Sequence, residues 1–277
     1  MRKLGIIAGA GNLPAKIIKE CQKQKRPFFV LALQGHAEPD LIPDNIECEW
    51  VRVGDIKKSI DICKAAGVQD VLMIGAVKRP SFWELRPDWY GIKFLLKIGW
   101  KALGDDGLLK AVIGRIEELG FKVIGADDIL TDSVASKGIY GKVKPSKQAL
   151  KDIAKGFHIA KILGQADVGQ GVIVADGLVL GVEAIEGTDA LIERCKSLHR
   201  QKTKGVLVKV KKPNQERRAD LPTIGIQTVQ NAYKSGLAGI AVEAGGAFVV
   251  DKNAVAKLAD KYGIFVMGVD ETCQNVR

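Results

Sequence analysis

Short apolar runs separated by stretches of helical periodicity open the chain. Leu4–Ala8 is apolar throughout and predicts a strand buried on both faces. Over residues 14–24, Ala15, Ile18 and Cys21 recur at three-residue spacing, which predicts a helix with one apolar face. Phe28–Leu33 reads as the next strand, and residues 56–66 as a helix stopped by Gly67, a common residue just past a helix end. A strand over 71–74, a helix over 108–119 closed by Gly120 and a strand over 122–125 continue the rhythm. Alternating strands and helices predict a parallel sheet covered on both faces, a Rossmann-like α/β domain.

The second half has a different pattern. Gly171–Ala175 and residues 178–184 flank Asp176-Gly177, the signature of a hairpin. A helix over 188–198, a strand over 205–210, a short helix over 228–235 and strands over 240–243 and 248–250 follow. A helix over 253–262 and a closing strand over 264–269 complete a mixed α/β domain. The polar, Gly/Pro/Lys-rich stretch over 131–147 is the expected boundary, giving domains 1–134 and 135–277, the second being catalytic.

Composition narrows the class. The 277 residues fit about two domains of roughly 150 residues each. With 47% hydrophobic and 27% charged residues, disorder, collagen and a disulfide-dense scaffold are excluded. The balance of 42 Lys and Arg against 32 Asp and Glu gives +10, which favours anionic partners such as phosphates, nucleic acid or an acidic membrane surface. Five cysteines at wide spacings without a C-x-x-C pair, and three histidines, argue against a zinc cluster or disulfide framework and for reduced thiols in the cytoplasm. Met1-Arg2-Lys3 precedes an apolar run too short for a signal peptide, and no stretch is long enough to span a membrane.

Several constellations carry candidate chemistry. Gly9-Ala10-Gly11-Asn12-Leu13-Pro14 directly follows the first strand, where glycines allow close backbone approach to a phosphate and the next helix N-terminus attracts anions. The dinucleotide fingerprint is incomplete: its sixth position is proline, and the second strand runs out in Gln34-Gly35-His36 with no acid placed for a ribose hydroxyl. A phosphate- or nucleotide-binding loop is therefore preferred over a dinucleotide site, with a structural tight turn as the plain alternative. Lys78 and Arg79 lie beyond the strand over 71–74, where α/β sheets bind ligands; a solvated pair explains them equally well. Residues 82–100 gather Phe82, Trp83, Trp89, Tyr90, Phe94 and Trp100 with Lys93 and Lys97, and Lys101 continues the four-residue spacing. Such a segment suits a lipid headgroup region or an acyl-chain wall, although on the residues alone a core-packing helix is preferred. Asp105 and Asp106 suit a helix cap or Mg²⁺.

Glu183, Glu186 and Asp189 meet at a strand-to-helix junction, a place for catalytic carboxylates or for acids that favour a helix start. Thr188 or Asp189 would serve equally as a cap. The densest segment runs from Lys209 to Gly225 and mixes cations, amides and acids between Pro213 and Pro222. Its turn residues make it a loop. Interleaved Glu216 and Asp220 oppose a nucleic-acid groove, whereas mixed charge suits phosphoryl chemistry; a solvated surface loop is the alternative.

Read together, the stretches GIIAGAGNLP, GAVKRPS, GDDGLL, DVGQGV, VEAIEGTDA, VKVKKPNQERRADLPTIGIQT and GLAGIAVEAG resemble, in this order, the two-domain UDP-2,3-diacylglucosamine diphosphatase family of lipid A biosynthesis. The calcineurin-like enzymes of the same reaction would need metal motifs that His36, His158 and His199 cannot supply. The resemblance implies water attack on the α-phosphorus of UDP-2,3-diacylglucosamine, releasing UMP and 2,3-diacylglucosamine 1-phosphate (lipid X), with Mg²⁺ as cofactor. It places an essential Asp at Asp220; similar proteins commonly carry Asp where this chain has Glu216. On this basis Asp220 positions Mg²⁺ or the attacking water, with Glu186 and Asp189 assisting the metal. Lys209, Lys212 and Arg217 neutralise the phosphates, Lys212 and Arg217 as catalytic cations. Gly9, Gly11, Asn12, Leu13, Lys78, Arg79, Gln170, Thr188, Gln215 and Thr228 are the remaining substrate-contact candidates.

The expected partners are UDP-2,3-diacylglucosamine, lipid X and the inner membrane surface as a peripheral contact, with no nucleic acid and a homodimer left open. A non-catalytic binder of the nucleotide-sugar lipid or of lipid X is the alternative function.

Overall fold

A computed structural model describes residues 1–77, 87–98, 105–198, 204–213, 215–218 and 221–272. The chain divides into two compact units. The first comprises Met1–Thr131 together with Glu216–Ala219; the second comprises Asp132–Gln215 and Asp220–Arg277.

In the first unit the order is β1 (Leu4–Ala8), α1 (Leu13–Lys23), β2 (Phe28–Leu33), β3 (Cys48–Val51), α2 (Ile56–Ala65), β4 (Asp70–Ile74), α3 (Trp89–Ile98), α4 (Asp105–Glu118) and β5 (Lys122–Val123). The five strands form a parallel sheet in the order β3-β2-β1-β4-β5. The strand order reverses beside β1, so the loops after β1 and β4 leave the sheet at a switch point, where α/β sheets bind ligands. Both faces are covered, which explains why β1 and β2 read as continuous apolar runs. Phe29, Leu31, Leu33, Val51 and Val71 pack with Cys63, Val68 and Phe121. On the alternate positions Leu4, Ile6, Val30 and Leu72 are fully buried.

The second unit is a mixed sheet in the order β6-β13-β11-β9-β7-β8. Its strands are β6 (Gly138–Ile139), β7 (Gly171–Ala175), β8 (Leu178–Val182), β9 (Val206–Lys209), β11 (Gly239–Glu243) and β13 (Phe265–Val269). The central β9, β11 and β13 run parallel, while β6, β7 and β8 join antiparallel. A two-stranded parallel ribbon pairs β10 (Thr223–Ile224) with β12 (Phe248–Val249).

Alternation along the strands feeds two cores. Ile173, Leu207, Ile240, Val242 and Val266 meet α6 (Gly187–Cys195), α7 (Ile226–Lys234) and α8 (Lys252–Tyr262). Val172, Val174, Val206, Val208 and Met267 meet Ala149, Ile153, Phe157 and Ala160 of α5 (Lys147–Gln165). No element is predicted where α5 lies, although it is the longest helix among the described residues. It begins at Ser146, whose hydroxyl accepts the Ala149 N–H, and Gly156 lets it approach Val208 and Val174.

The expected Asp-Gly hairpin forms, with Asp176 and Gly177 both at positive φ. Its turn is gripped from α5: Asp152, 1% exposed, accepts the Asp176 N–H at 3.0 Å and the Gly177 N–H at 2.7 Å. Asp152→Ala removes that acceptor and is expected to cost about 2 kcal/mol. Urea unfolding checks this; an unchanged midpoint would show that the turn holds its own shape.

The described cysteines are free thiols. Burial pushes Cys21 and Cys63 of the first unit up to about 11, and raises Cys195 of the second. Among the described residues no helix is long and apolar enough to cross a membrane.

Candidate functional site

In the first unit, the loops after β1 and β4 are zipped together by backbone. Ala10 N donates to Ala76 O at 2.8 Å and Ala76 N to Ala10 O at 3.0 Å. A side chain at Gly9 would meet Ala76 O at 2.7 Å and Gly75 O at 2.9 Å, so this glycine is required for the close approach. Gly11 has φ +90° and an open Cβ position. Asn12 precedes α1 without a side-chain cap bond, and Leu13 and Pro14 lie in the first helical turn. The Gly11 N–H donates to Glu38 Oε1 at 3.2 Å. Glu38 stands five residues beyond β2, at the start of a short 3₁₀ turn over Pro39–Leu41. An acid therefore reaches the glycine loop from the second strand after all, by way of a turn that the spacing rule does not anticipate. Lys78 and Arg79 lie outside the described residues.

Two loop arginines belong to the first unit and are fixed by acids. Arg217 Nε reaches Asp127 Oδ2 at 2.7 Å. Arg218 is held by Glu117 at 2.6 Å and by Glu216 at 2.9 Å. Hydrogen bonding to Arg218 holds Glu216 below the usual carboxylate range. Arg217 is exposed, and its guanidinium keeps donors besides the one given to Asp127.

In the second unit, polar side chains collect at the carboxyl ends of β9 and β11 and beside the start of β7. Lys209 pairs across the sheet with Gly171, and Glu183 N donates to Gly171 O at 2.7 Å. Because Gly171 has no side chain, Glu183 lies over it: an added Cβ would stand 2.5 Å from Glu183 Oε2. Lys209 Nζ donates to Thr188 Oγ1 at 2.7 Å, and Thr188 Oγ1 donates to Glu183 Oε1 at 2.5 Å. Lys209 and Glu183 are 5% and 6% exposed, and Glu183 Oε2 accepts no hydrogen bond among the described residues.

Lys212 Nζ is anchored to Asp167 at 2.6 Å. The Lys212 N–H donates to Gln215 Oε1 at 3.0 Å, and Gln215 Nε2 to Gln170 Oε1 at 3.2 Å. Nearby, Glu243 ends β11 and accepts from Lys161 at 2.8 Å and from the Lys211 N–H at 2.7 Å. The sequence reading does not single out Lys161 or Glu243. An acid closing a buried parallel strand is the signal that would have found Glu243.

Thr228 is not grouped with these residues. Its hydroxyl accepts the Gly225 N–H at 3.3 Å at the start of α7.

The metal candidates are dispersed in their contacts. Glu186 is hydrogen-bonded by its own backbone amide, by Arg194 at 2.9 Å and by the Ala184 N–H, which hold it below the usual carboxylate range. Asp189 accepts from Asn231 Nδ2 at 2.8 Å. Asp220 lies outside the described residues. Among the described residues no three His, Cys, Asp or Glu side chains gather as a metal site. Glu186 and Asp189 do not fit a preassembled Mg²⁺ cage.

Arg217 in the first unit and Lys212 in the second are each positioned by one acid of their own unit and can each meet an anion. Charge stabilisation of this kind is what phosphoryl transfer asks of a protein.

Residues 3–133 match the model of the LpxI N-terminal domain, and residues 136–267 that of the LpxI C-terminal domain. The chain belongs to the LpxI family. Motif order pointed to the same family. A relative from Caulobacter vibrioides, named UDP-2,3-diacylglucosamine pyrophosphatase LpxI, is 42% identical over 277 residues, spanning 98% of each chain. Two solved structures show a distant likeness to this LpxI chain. CobK precorrin-6A reductase covers 98% of it and 88% of its own chain at 10% identity, with a TM-score of 0.35. The Thermus thermophilus UDP-glucose 4-epimerase complex with NAD covers 99% and 89% at 13% identity, with a TM-score of 0.34. Likeness at these scores bears on neither fold nor function.

Proposed function

We propose that this protein hydrolyses UDP-2,3-diacylglucosamine. The observation that carries the proposal is the 42% identity, over nearly the whole of both chains, to a relative named for that activity. The anchored cations support it. A diphosphate ester offers a chain of negative oxygens, and Lys212 in the second unit and Arg217 in the first each carry a fixed positive charge suited to such a group.

In the proposed reaction a water oxygen bonds to the α-phosphorus, and the bond from that phosphorus to the bridging oxygen breaks. UMP leaves with the new oxygen, lipid X keeps the bridging one, and the water proton passes to a base. Asp220 is the residue we assign to orienting that water. Lys212 and Arg217 neutralise charge on the phosphates as it builds. Gln170 and Gln215, which fix each other and the Lys212 N–H, keep the loop in one shape. Gly9, Gly11, Asn12 and Leu13 are assigned to the nucleotide.

A Mg²⁺ requirement is part of the proposal through Asp220 and the substrate's own phosphates, since Mg²⁺ commonly binds one or two carboxylates plus phosphate oxygens. No step above depends on it. Trp89 and Leu96 of α3 are 69% and 76% exposed, with Lys93 5.3 Å from the Trp89 ring. These residues support a peripheral lipid contact.

The test is UMP release from UDP-2,3-diacylglucosamine in detergent micelles, with Mg²⁺ and then with EDTA. Metal-dependent release is the expected result. Release unaffected by EDTA would remove the metal and keep the hydrolase. Folded protein that binds lipid X and releases no UMP would make it a binder instead.

A further inference from the structure

We infer that Glu38 reads the ribose of the bound nucleotide, an inference that rests on the nucleotide being held by the first unit. Three observations meet at this residue. The sheet's switch point lies beside β1, and the loops leaving β1 and β4 there are zipped backbone to backbone. The glycines at Gly9 and Gly75 make this approach possible: a Cβ on either would fall 2.7 Å from the other loop's backbone. Glu38 is carried to the same loop from beyond β2, and its Oε1 accepts the Gly11 N–H.

That bond fixes the carboxylate at the mouth of the loop while the side chain stays exposed. Its second oxygen accepts no hydrogen bond among the described residues. An ionised carboxylate only accepts, and each of its oxygens accepts more than one hydrogen bond. A phosphate oxygen has no proton to give it and would be repelled. A base amide offers donors in one plane only. A ribose offers two adjacent hydroxyls, the donors that an acid at this place in an open α/β sheet pairs with. Glu38 is thus a specificity residue for a ribonucleotide, and the glycine loop beside it is left for the phosphates.

Calorimetry with uridine 5′-diphosphate and with its 2′,3′-dideoxy analogue tests this on the full chain. The wild type is expected to bind the ribonucleotide about tenfold to a hundredfold tighter, the range set by hydrogen bonds to a charged group. Glu38→Gln keeps an oxygen for the Gly11 N–H and replaces the other acceptor by a donor. Its preference is expected to fall to within about threefold. A Glu38→Gln protein that keeps the wild-type preference would show that Glu38 only shapes the loop, and would overturn the inference. A wild type that binds both nucleotides equally, or neither, would overturn it too. The UMP-release assay stands apart from these outcomes. Ribose preference without hydrolysis would sink the hydrolase and leave Glu38's role intact, whereas hydrolysis without ribose preference would do the reverse.

Discussion

Asp220→Ala is expected to lower the rate of UMP release by about 10²-fold, the usual loss when a reacting group is no longer held in place. The expectation starts from the sequence. Lys212-Pro213-Asn214-Gln215-Glu216-Arg217-Arg218-Ala219-Asp220-Leu221-Pro222 mixes cations and acids between two prolines, and family membership now covers this loop. The residues after Asp220 are tied into the second unit: Leu221 is buried, and the Pro222 carbonyl accepts the Phe248 N–H at 2.8 Å. The measurement is single-turnover UMP release at saturating substrate, beside a thermal unfolding scan. Lost turnover with an unchanged unfolding midpoint supports the assignment. A well-folded Asp220→Ala protein with full turnover would remove Asp220 from the chemistry. Asp220→Asn sharpens the point, because it keeps the shape and loses the charge.

Lys209→Met should act mainly through stability. Lys209 was a candidate for phosphate neutralisation, but its ammonium is buried and donates to Thr188, 3.9 Å from Glu183 Oε1. Removing one partner of a buried pair leaves the other charge uncompensated, at a cost of about 3–5 kcal/mol. Glu183 is poorly placed to absorb the loss, since Oε2 already lacks a partner among the described residues. The second unit should then unfold at a markedly lower urea concentration. The double variant Lys209→Met/Glu183→Leu should recover most of that loss, because apolar replacements of a buried ion pair are often neutral or stabilising. A Lys209→Met protein within about 1 kcal/mol of the wild type would mean that the network is not the unit's keystone.

The elements most legible in the sequence are those whose apolar positions are uninterrupted. β1 and β2 carry no polar residue, and the Asp176-Gly177 turn announces its hairpin. β3 and α5 hide for opposite reasons. β3 has the sequence CEWV, an edge strand too short and too polar to stand out. α5 has clear helical spacing at Ala149, Ile153, Phe157 and Ala160, but it carries Gly156 and Gly164, and glycine is a poor helix former. They are there because the helix lies close to its surroundings: a Cβ on Gly156 would sit 2.7 Å from Val208, and one on Gly164 3.0 Å from the Lys212 backbone. The site was legible as residue types and hardly at all as partners. Glu38 to Gly11, Asp127 to Arg217 and Glu243 to Lys161 are all long-range pairs, set by which strand ends the fold brings together. A local spacing rule has no access to such pairs.

The buried thiols give each half of the molecule its own clock. A thiol near 11 is almost wholly protonated at neutral pH, and Cys21 and Cys63 are also closed off from solvent. Cys195 is fully buried in the other unit. An alkylating reagent can therefore reach these sulfurs only when the surrounding core opens. Mass spectrometry of the modified peptides would report the opening rate of each unit separately, in one tube and without an engineered probe.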